Sequence, residues 1–411
     1  MSTSRARVFD SDDARQTSSP WFLLAALAVA ILLQLLGFRV LEPLSFDSQE
    51  YLALSQSLAT GNGYAAPAGL NGFTSFAGES PTRMRQPGYP VFLLVFYWLG
   101  RRSVTDVRMI QLVLNCLTVY LVFLTGRAAF KGRFRPASIL AVSLYFPWLW
   151  TSALVLSESV FIVVFAGTVY ATYSLSRKRD SRLLPFGIGV LAGVLSLIRP
   201  VGFLVGGFCV VAVIVCFGFR PRLLGLLLTG GALVVLPWLA RNTVELGDVT
   251  PGSTEAGYNL WRASIPSGAP TWKDSDEFRI ATEQAYYIDR TANANFAEMA
   301  GRHFLEDPVG FFQRSVVRMA KTWLRFPGTG ALHLQPWVSL ALSSVQVAVV
   351  VLAFLGGACL RGKEVLLLLL PLAAVVASQP LAPGVTRYLL PVMPYVVLLS
   401  GQGILHRWRA S

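Results

Sequence analysis

Acidic and basic residues lie close together between residues 46 and 90, just after the first long apolar run. Asp47 and Glu50 stand in FDSQEY, and Arg83 and Arg85 stand in PTRMRQPGYP. Ionisable side chains are costly to keep beside a lipid bilayer, so those that are kept there are functional candidates. The carboxylates are therefore candidates for a chemical role, and the arginines for binding an anion such as phosphate.

Asp47 and Glu50 have two interpretations. At positions i and i+3 of a helix they would share one face, which suits joint action in a site. The same D-x-x-E spacing is also a capping box, which begins a helix without any chemistry. The helix is predicted to run to about Thr60 and to stop at Gly61 and Gly63. The two interpretations are compatible, because a carboxylate at a helix start is kept ionised.

Further charged residues are predicted at the same, outer side of the membrane. They are Arg199, Arg241, Arg387 and Glu158. Each arginine alone could be a snorkelling surface charge, and Glu158 could be an ordinary helix-end residue. Several arginines at one face nevertheless favour a bound anion such as a lipid phosphate, because the guanidinium fork pairs well with phosphate.

The stretch GYNLW provides two candidate substrate contacts, Asn259 and Trp261. Trp261 is a candidate for stacking on a sugar, although tryptophans of membrane proteins more often form an interfacial belt. No residues stand at metal-ligand spacing, and no P-loop, dinucleotide motif or nucleophile elbow occurs. No cofactor is therefore predicted, and a divalent cation beside Asp47 stays an open alternative.

Composition indicates where these residues must lie. The 411 residues are 54% hydrophobic and 14% charged, with a mean hydropathy of +0.55. Soluble domains carry about 25% charged residues, so the chain is predicted to be a polytopic membrane protein. Much of the net charge of +13 sits in short clusters between apolar runs, which orient a protein in a membrane. The basic balance therefore indicates topology and argues against a nucleic-acid partner.

Apolar runs near the length of a spanning helix, roughly 20 residues, predict an all-α integral membrane fold with about ten transmembrane helices. The predicted spans are Trp21–Val40, Val107–Ala128, Pro136–Leu156, Val160–Leu175, Leu183–Ile198, Val201–Phe219, Leu223–Ala240, Pro336–Leu360, Val365–Ser378 and Tyr388–Leu405. The run Val91–Leu99 is too short to span and is predicted to be an interfacial or re-entrant segment. The basic loops then share one side, which the positive-inside rule assigns to the cytoplasm together with both termini.

This topology divides the chain into segments. They are a disordered cytoplasmic N-terminus (1–20), the first transmembrane helix (21–45), an outer catalytic loop with juxtamembrane helices (46–106), transmembrane helices (107–240), an outer loop with an amphipathic helix (241–335) and C-terminal transmembrane helices (336–411). The amphipathic helix is predicted in DPVGFFQRSVVRMAKTWLRF, where apolar residues alternate with basic ones, and it would lie on the membrane surface. The active site is predicted to face outward from the cell (inner or plasma) membrane.

Short motifs resemble, in their order and sidedness, the GT-C glycosyltransferases. The nearest branch is the protein O-mannosyltransferase and aminoarabinose-transferase group with its small bacterial relatives. The motifs are FDSQEY, RMRQPGYP, LSE at Leu156–Glu158, the pair Arg241–Asn242 before a glycine, and RYLLPVMP at Arg387–Pro394. One departure is Asp-Ser-Gln-Glu, where the protein mannosyltransferases have adjacent acidic residues. The resemblance covers most of the chain.

The resemblance implies a polyprenyl-phosphate sugar donor, inversion at the anomeric carbon, and an acceptor hydroxyl of a glycan, lipid or protein on the outer (periplasmic) face. It implies Asp47 as general base, assisted by Glu50 or Glu158. It also implies a donor phosphate held by Arg85 and Arg387. Further residues predicted to bind that phosphate are Arg83, Arg199, Arg241 and Tyr388. Arginines can replace the general acid of a glycosidase, because a phosphate leaving group needs charge stabilisation more than protonation.

Two other function classes stay open from the sequence. A lipid or solute transporter, or flippase, of the cell envelope would also have about ten helices, but such proteins usually show inverted repeats and helices broken at mid-membrane. A non-catalytic assembly subunit would explain the topology but would leave the acidic segment without a reason. The gathering of polar residues at one membrane face favours the transferase.

Overall fold

The computed structural model describes residues 20–66, 80–82, 85–101, 103–178, 180–247, 249, 251–253, 255–265, 290–327, 334–360, 362, 365–382 and 384–407. Within these ranges the fold is all-α, apart from a short antiparallel pair, Ala65–Ala66 with Ser80–Pro81. The predictions for residues 1–19 and for Arg83 lie outside the described residues.

The helices are α1 (Pro20–Val40), α2 (Phe46–Ala59), α3 (Gly88–Trp98), α4 (Val104–Phe130), α5 (Ser138–Leu144), α6 (Phe146–Leu149), α7 (Glu158–Ser174), α8 (Leu183–Ile198), α9 (Val201–Phe217), α10 (Pro221–Leu246), α11 (Glu255–Ser264), α12 (Arg290–Glu306), α13 (Pro308–Leu324), α14 (Pro336–Gly357), α15 (Leu366–Ala377) and α16 (Met393–Arg407). Short 3₁₀ turns occupy Lys131–Arg133, Trp150–Ala153, Gln379–Leu381 and Thr386–Leu389.

Among the described residues, four helical stretches are long and apolar enough to cross a membrane, namely α1, Val104–Arg133, α10 and α14. Further apolar helices of 10–17 residues lie beside them. Large apolar side chains face outward from the bundle, as on α14, where Phe354 is 77% exposed. Such outward apolar surface suits contact with lipid. The predicted all-α membrane fold is confirmed, although several helices are shorter than the predicted spans.

The predicted span Pro136–Leu156 is wrong, because this segment is not one helix. It is divided into α5, the single turn α6 and the 3₁₀ turn Trp150–Ala153. Pro147 lies in the first turn of α6, and proline has no N–H to continue the hydrogen-bond ladder of a preceding helix. The remaining predicted spans each contain one α-helix.

Side chains of α4 pair the carbonyl groups that this break leaves free. Asn115 Nδ2 donates to Leu149 O at 2.9 Å, and Gln111 Nε2 donates to Leu154 O at 2.7 Å. The hydroxyl of Tyr89 on α3 donates to Gln111 Oε1 at 2.9 Å. Non-helical backbone at membrane depth is tolerated where protein groups satisfy it. The broken segment is therefore a fixed part of the core.

The helix α3 has 11 residues, which span about 16 Å at the α-helical rise. The hydrocarbon core of a bilayer is about 30 Å thick, so α3 alone is too short to cross it. Tyr89 and Leu93 are buried against the bundle, whereas Trp98 is 74% exposed. This length agrees with an interfacial or re-entrant position, and the sidedness of the chain stays a prediction.

The amphipathic helix predicted after Asp307 is present as α13. Asp307 caps it, because its Oδ1 accepts from the backbone N–H of Gly310 at 2.8 Å. Phe311 is buried, whereas Phe312 and Val316 are 62% and 65% exposed. One apolar face of α13 is therefore uncovered within the described chain, and its contact with the membrane surface stays a prediction.

Candidate active site

Serines cap the helix α2 that carries the first acidic residues. The backbone N–H of Ser48 donates to Ser45 Oγ at 3.3 Å, and the backbone N–H of Ser45 donates to Ser48 Oγ at 3.0 Å. The predicted capping box of Asp47 and Glu50 is therefore wrong, because this serine pair already forms it. The carboxylates of Asp47 and Glu50 are turned to other partners.

Arg85 joins these two carboxylates. Its Nε donates to Glu50 Oε2 at 2.6 Å, and its Nη2 donates to Asp47 Oδ1 at 2.8 Å. The Arg85 side chain is 9% exposed and that of Glu50 is 6% exposed. Hydrogen bonds between ionised groups are about twice as strong as neutral ones. Arg85 therefore fixes both acidic side chains on one face of α2, as their i, i+3 spacing predicted.

The loop that carries Arg85 is held from two directions. The Tyr64 hydroxyl is 3.0 Å from the carbonyl oxygen of Arg85 and 3.3 Å from that of Gln86, and both can accept from it. Gly88 lies so close to α8 that a Cβ there would stand 2.7 Å from Leu197 O. Only glycine allows this approach without displacing backbone. The Pro-Gly-Tyr-Pro sequence thus sets the position of Arg85.

Arg387 connects Asp47 to a distant acidic residue, Glu158. It lies in the 3₁₀ turn Thr386–Leu389, and its Nη2 donates to Asp47 Oδ2 at 3.1 Å. Its Nε lies 3.9 Å from Glu158 Oε1 and has no hydrogen-bond partner among the described residues. The Arg387 side chain is 37% exposed, compared with 22% for Asp47. Arg387 therefore has donor capacity left for a ligand.

Glu158 is the first residue of α7, where the helix dipole favours a negative charge. Arg199 Nη2 donates to Glu158 Oε1, and Arg199 Nε donates to Ser157 Oγ at 3.0 Å. Arg199 has an extended backbone, with φ −147° and ψ 142°, because a residue before proline is disfavoured in the helical region. The step Arg199–Pro200 thus ends α8 and leaves the Arg199 side chain directed at Glu158.

The ionic groups form one alternating chain, in which each carboxylate contacts a guanidinium. In order they are Glu50, Arg85, Asp47, Arg387, Glu158 and Arg199. Burial alone would raise the pKa of Asp47, but the charges of Arg85 and Arg387 outweigh it and hold that pKa below its usual range. Burial alone would lower the pKa of Arg387, but Glu158 and Asp47 outweigh it and raise that pKa. Both groups are therefore ionised at neutral pH.

This ionic chain lies at a cavity of about 400 Å³. Asp47, Arg85, Glu158, Arg199 and Arg387 contribute to its wall, and so do Tyr388 and Asn259, as predicted for a common site. Other parts of the wall are apolar and come from α8, α9, α11 and α15, including Ile198, Val201, Leu204, Leu260 and Val375. The cavity therefore combines paired charges with surface that suits a hydrocarbon chain.

Two predicted site residues lie elsewhere. Arg241 donates to Thr82 O and to Tyr64 O, each at 2.8 Å, and it is not among the residues that line the cavity. In the described structure Arg241 therefore holds the backbone on either side of the strand pair Ala65–Ala66 and Ser80–Pro81, and its assignment to the donor phosphate stays a prediction. Trp261 is fully buried between α11 and α12, with its ring 5.1 Å from that of Phe296. It has no exposed surface on which a sugar could stack, so that assignment is corrected to packing.

The cavity also contains residues that the sequence reasoning missed, namely Gln86, Ser253 and Tyr51. Gln86 stands inside the RMRQPGYP motif directly after Arg85, and this position could have identified it as a site residue from the sequence. Ser253 follows α10 in a stretch without any motif. No pattern in the sequence distinguishes it from other loop serines.

Arginines supply the positive charge beside Asp47. Both of its oxygens accept from guanidinium groups, those of Arg85 and Arg387. Among the described residues, no group of three or more His, Cys, Asp and Glu side chains could hold a metal ion. The electrostatic role that a cation would have at this carboxylate is already filled in part by these side chains.

Comparison with solved structures identifies proteins of similar fold. AglB, an archaeal oligosaccharyltransferase from Archaeoglobus fulgidus in complex with an inhibitory peptide and a dolichol-phosphate, matches with a TM-score of 0.53 and 15% identity over 95% of this chain and 51% of that one. The apo form of the Archaeoglobus fulgidus oligosaccharyltransferase matches with a TM-score of 0.52 and 13% identity, also over 95% of this chain and 51% of that one. ArnT from Cupriavidus metallidurans bound to undecaprenyl phosphate gives a TM-score of 0.45 and 15% identity over 94% of this chain and 78% of that one.

No protein-family model matches the sequence, and no curated protein matches it. The chain spans about half the length of the archaeal enzyme, 51%. The fold expected from the motifs, that of the GT-C enzymes, is confirmed, because the match to the archaeal oligosaccharyltransferase extends over nearly all of this chain. The assignment of this chain to a branch of those enzymes stays a prediction.

Proposed function

We propose that this protein is a membrane glycosyltransferase, which moves a sugar from a polyprenyl-phosphate donor to an acceptor hydroxyl at the outer face, with inversion. The observation that carries this proposal is one cavity that joins an ionic chain, centred on Asp47 and Arg387, to apolar walls. A polyprenyl phosphate has the same two chemistries, an anionic head and a hydrocarbon tail. AglB, which shares the fold, is solved with a dolichol-phosphate.

Arg387 is the residue best suited to hold the donor phosphate. Among the described residues its side chain makes one hydrogen bond, from Nη2 to Asp47, and its Nε has no partner. Arg85 by contrast already uses Nε and Nη2 on Glu50 and Asp47. A planar guanidinium can bind two phosphate oxygens at once. Arg387 would therefore bind the phosphate directly, with Tyr388 beside it, while Arg85 orients the carboxylates.

In the proposed reaction the acceptor oxygen attacks the anomeric carbon as the bond from that carbon to the phosphate oxygen breaks. The polyprenyl phosphate leaves with the bonding electrons, and Arg387 stabilises the negative charge that develops there. Asp47 takes the proton of the acceptor hydroxyl as general base.

Glu158 and Arg199 have a supporting role in this proposal. Their ion pair is nearly buried, with side-chain exposures of 3% and 15%. It places a compensated charge beside Arg387, whose Nε lies 3.9 Å from Glu158. Breaking a buried ion pair by removing one partner is strongly destabilising. In this proposal Glu158 positions Arg387, and Asp47 takes the acceptor proton.

Binding to undecaprenyl phosphate tests the proposal. Purified protein in lipid nanodiscs is titrated with undecaprenyl phosphate and with undecaprenol, which has the same tail and no phosphate. We expect saturable binding of undecaprenyl phosphate that is at least about tenfold tighter, since a charge-assisted hydrogen bond contributes roughly 1.5–3 kcal/mol. Equal affinity for the two lipids would contradict a phosphate site in this cavity.

A further inference from the structure

Gln86 is buried in the cavity wall with its side-chain amide unpaired. The residue is 4% exposed, and neither Nε2 nor Oε1 has a hydrogen-bond partner among the described residues. Its backbone is fixed, because its own carbonyl oxygen lies 3.3 Å from the Tyr64 hydroxyl. Buried polar side chains are nearly always hydrogen-bonded, so this amide requires an explanation.

Three other buried glutamines of the described chain are satisfied at both ends of the amide. Gln111 accepts from Tyr89 and donates to backbone carbonyls. Gln402 accepts from the backbone N–H of Arg135 at 3.1 Å and donates to Arg135 O at 3.0 Å. Gln34 donates to Ala30 O and accepts from Asn115. A further buried glutamine, Gln379, accepts from Trp323 Nε1 at 2.9 Å, but its Nε2 has no partner among the described residues. Gln86 differs from all of these because both ends of its amide are unpaired there and because it lines the cavity.

Ser253 provides a second unpaired group in the same wall. It is 3% exposed, and its Oγ has no hydrogen-bond partner among the described residues. Gln86 precedes α3 and Ser253 follows α10, so two separate elements bring neutral hydrogen-bonding groups to one cavity. The second oxygen of Glu158 is also without a partner there. The cavity thus holds donors and acceptors that no described residue satisfies.

We infer that Gln86 and Ser253 bind hydroxyl groups of the transferred sugar, and that this sugar is uncharged. The inference rests on the proposed function. Gln86 directly follows Arg85 at the ionic chain, and the sugar of a donor is bonded to the phosphate that this chain would hold. A primary amide both donates and accepts, as a pair of neighbouring sugar hydroxyls also does.

The other parts of the donor fit these groups less well. A phosphate could accept from the amide N–H groups of Gln86 but would leave the amide oxygen unsatisfied, and a prenyl chain would leave both groups unsatisfied at a cost. The ammonium group of an amino sugar would add a positive charge to a site in which each carboxylate already faces a guanidinium. Asp47, Glu50 and Glu158 are each paired with a guanidinium. The chemistry of the wall therefore selects a neutral, hydroxyl-rich sugar.

The test compares affinity for donors with affinity for undecaprenyl phosphate, which has no sugar. Wild type, Gln86→Met and Ser253→Ala are titrated in nanodiscs with undecaprenyl phosphate and with undecaprenyl-phosphate mannose, glucose, galactose and 4-amino-4-deoxyarabinose. We expect a neutral sugar to bind the wild type more tightly than undecaprenyl phosphate does. Gln86→Met should reduce that gain about tenfold or more and Ser253→Ala about threefold to tenfold, since each removes hydrogen bonds. Affinity for undecaprenyl phosphate itself should stay within about twofold.

Ser143→Ala is the matched control, because the Ser143 hydroxyl is also buried and without a partner among the described residues but does not line the cavity. It should leave every affinity unchanged. A gain from sugar that survives both variants, a tightest fit to the amino sugar, or no gain for any sugar would overturn the inference while leaving phosphate binding intact. Failure of undecaprenyl phosphate itself to bind would instead refute the proposed function.

Discussion

Replacing Arg387 by lysine keeps the positive charge and removes the planar fork. Arg387 uses Nη2 on Asp47 at 3.1 Å, which leaves Nε and the second amino group for phosphate. Losing one of two charge-assisted hydrogen bonds costs roughly 1–3 kcal/mol. Because the side chain is 37% exposed, water screens this interaction. We therefore expect the lower part of that range, about 1–2 kcal/mol, or about 5- to 30-fold weaker binding of undecaprenyl phosphate.

The assay is the titration of nanodisc-embedded protein with undecaprenyl phosphate, with Arg101→Lys as the matched control. Arg101 pairs with Asp106 at 3.1 Å and is 67% exposed, so its replacement should leave the affinity within about twofold. Arg85→Lys should affect stability more than affinity, because Arg85 already binds two carboxylates. Unchanged affinity in Arg387→Lys together with weakened binding in Arg85→Lys would refute the division of roles between the two arginines.

The topology predicts that Ser80→Cys reacts with an impermeant thiol reagent in intact cells, whereas Gly132→Cys, within a basic cluster, does not. Gly88→Ala should lower the free energy of unfolding by about 1–3 kcal/mol, since the added Cβ would stand 2.7 Å from a backbone oxygen of α8. Arg387→Ala removes one of the two charges that lower the pKa of Asp47. As the pH is lowered, the Arg387→Ala protein should therefore lose free energy of unfolding at a higher pH than the wild type does, as measured by denaturation at several pH values.

Each of these three predictions has a control or an outcome that would contradict it. In the wild type the ionised Asp47 stabilises the fold above its unfolded pKa of about 3.9, and this contribution is lost as the pH falls through the lower folded value. An unchanged acid transition in Arg387→Ala would mean that the two side chains are not coupled. Gly207→Ala, whose added Cβ meets nothing within 4 Å, should not lower the free energy of unfolding, because alanine is the better helix former. Labelling of Gly132→Cys in intact cells would overturn the topology.

The ends of helices were predictable from the sequence where a residue pattern allows only one interpretation. The end of α2 before Gly61 and Gly63 was expected, and both glycines have positive φ, 83° and 74°. The cap was not, because Ser45 and Asp47 both suit an N-cap and only the backbone decides between them. The break before Pro147 was also missed. Hydropathy depends on composition alone, and it does not show that side chains of α4 pair the backbone carbonyl groups that the break leaves without a helical partner.

The ionic part of the site was predictable because charges inside an apolar chain are few. Asp47, Glu158 and Arg387 were found in this way, although they are far apart in the sequence. Their pairing was not predictable, since it depends on how α2, α7 and the turn before α16 approach one another. Trp261 was misassigned because the sequence around a tryptophan in the outer loop does not distinguish a sugar-binding surface from a small hydrophobic core.

Transfer by Asp47→Asn protein tests the central claim most directly. Ser45 and Ser48 cap α2, so this substitution leaves the cap intact and removes only the charge and the proton acceptor. With a donor that supports wild-type transfer, we expect the rate to fall by about 10²–10⁴, the usual worth of a general base, while undecaprenyl phosphate still binds. Asp106→Asn, which also loses an arginine partner, should transfer normally. Near-wild-type transfer by Asp47→Asn protein would contradict the assignment of Asp47 as the base.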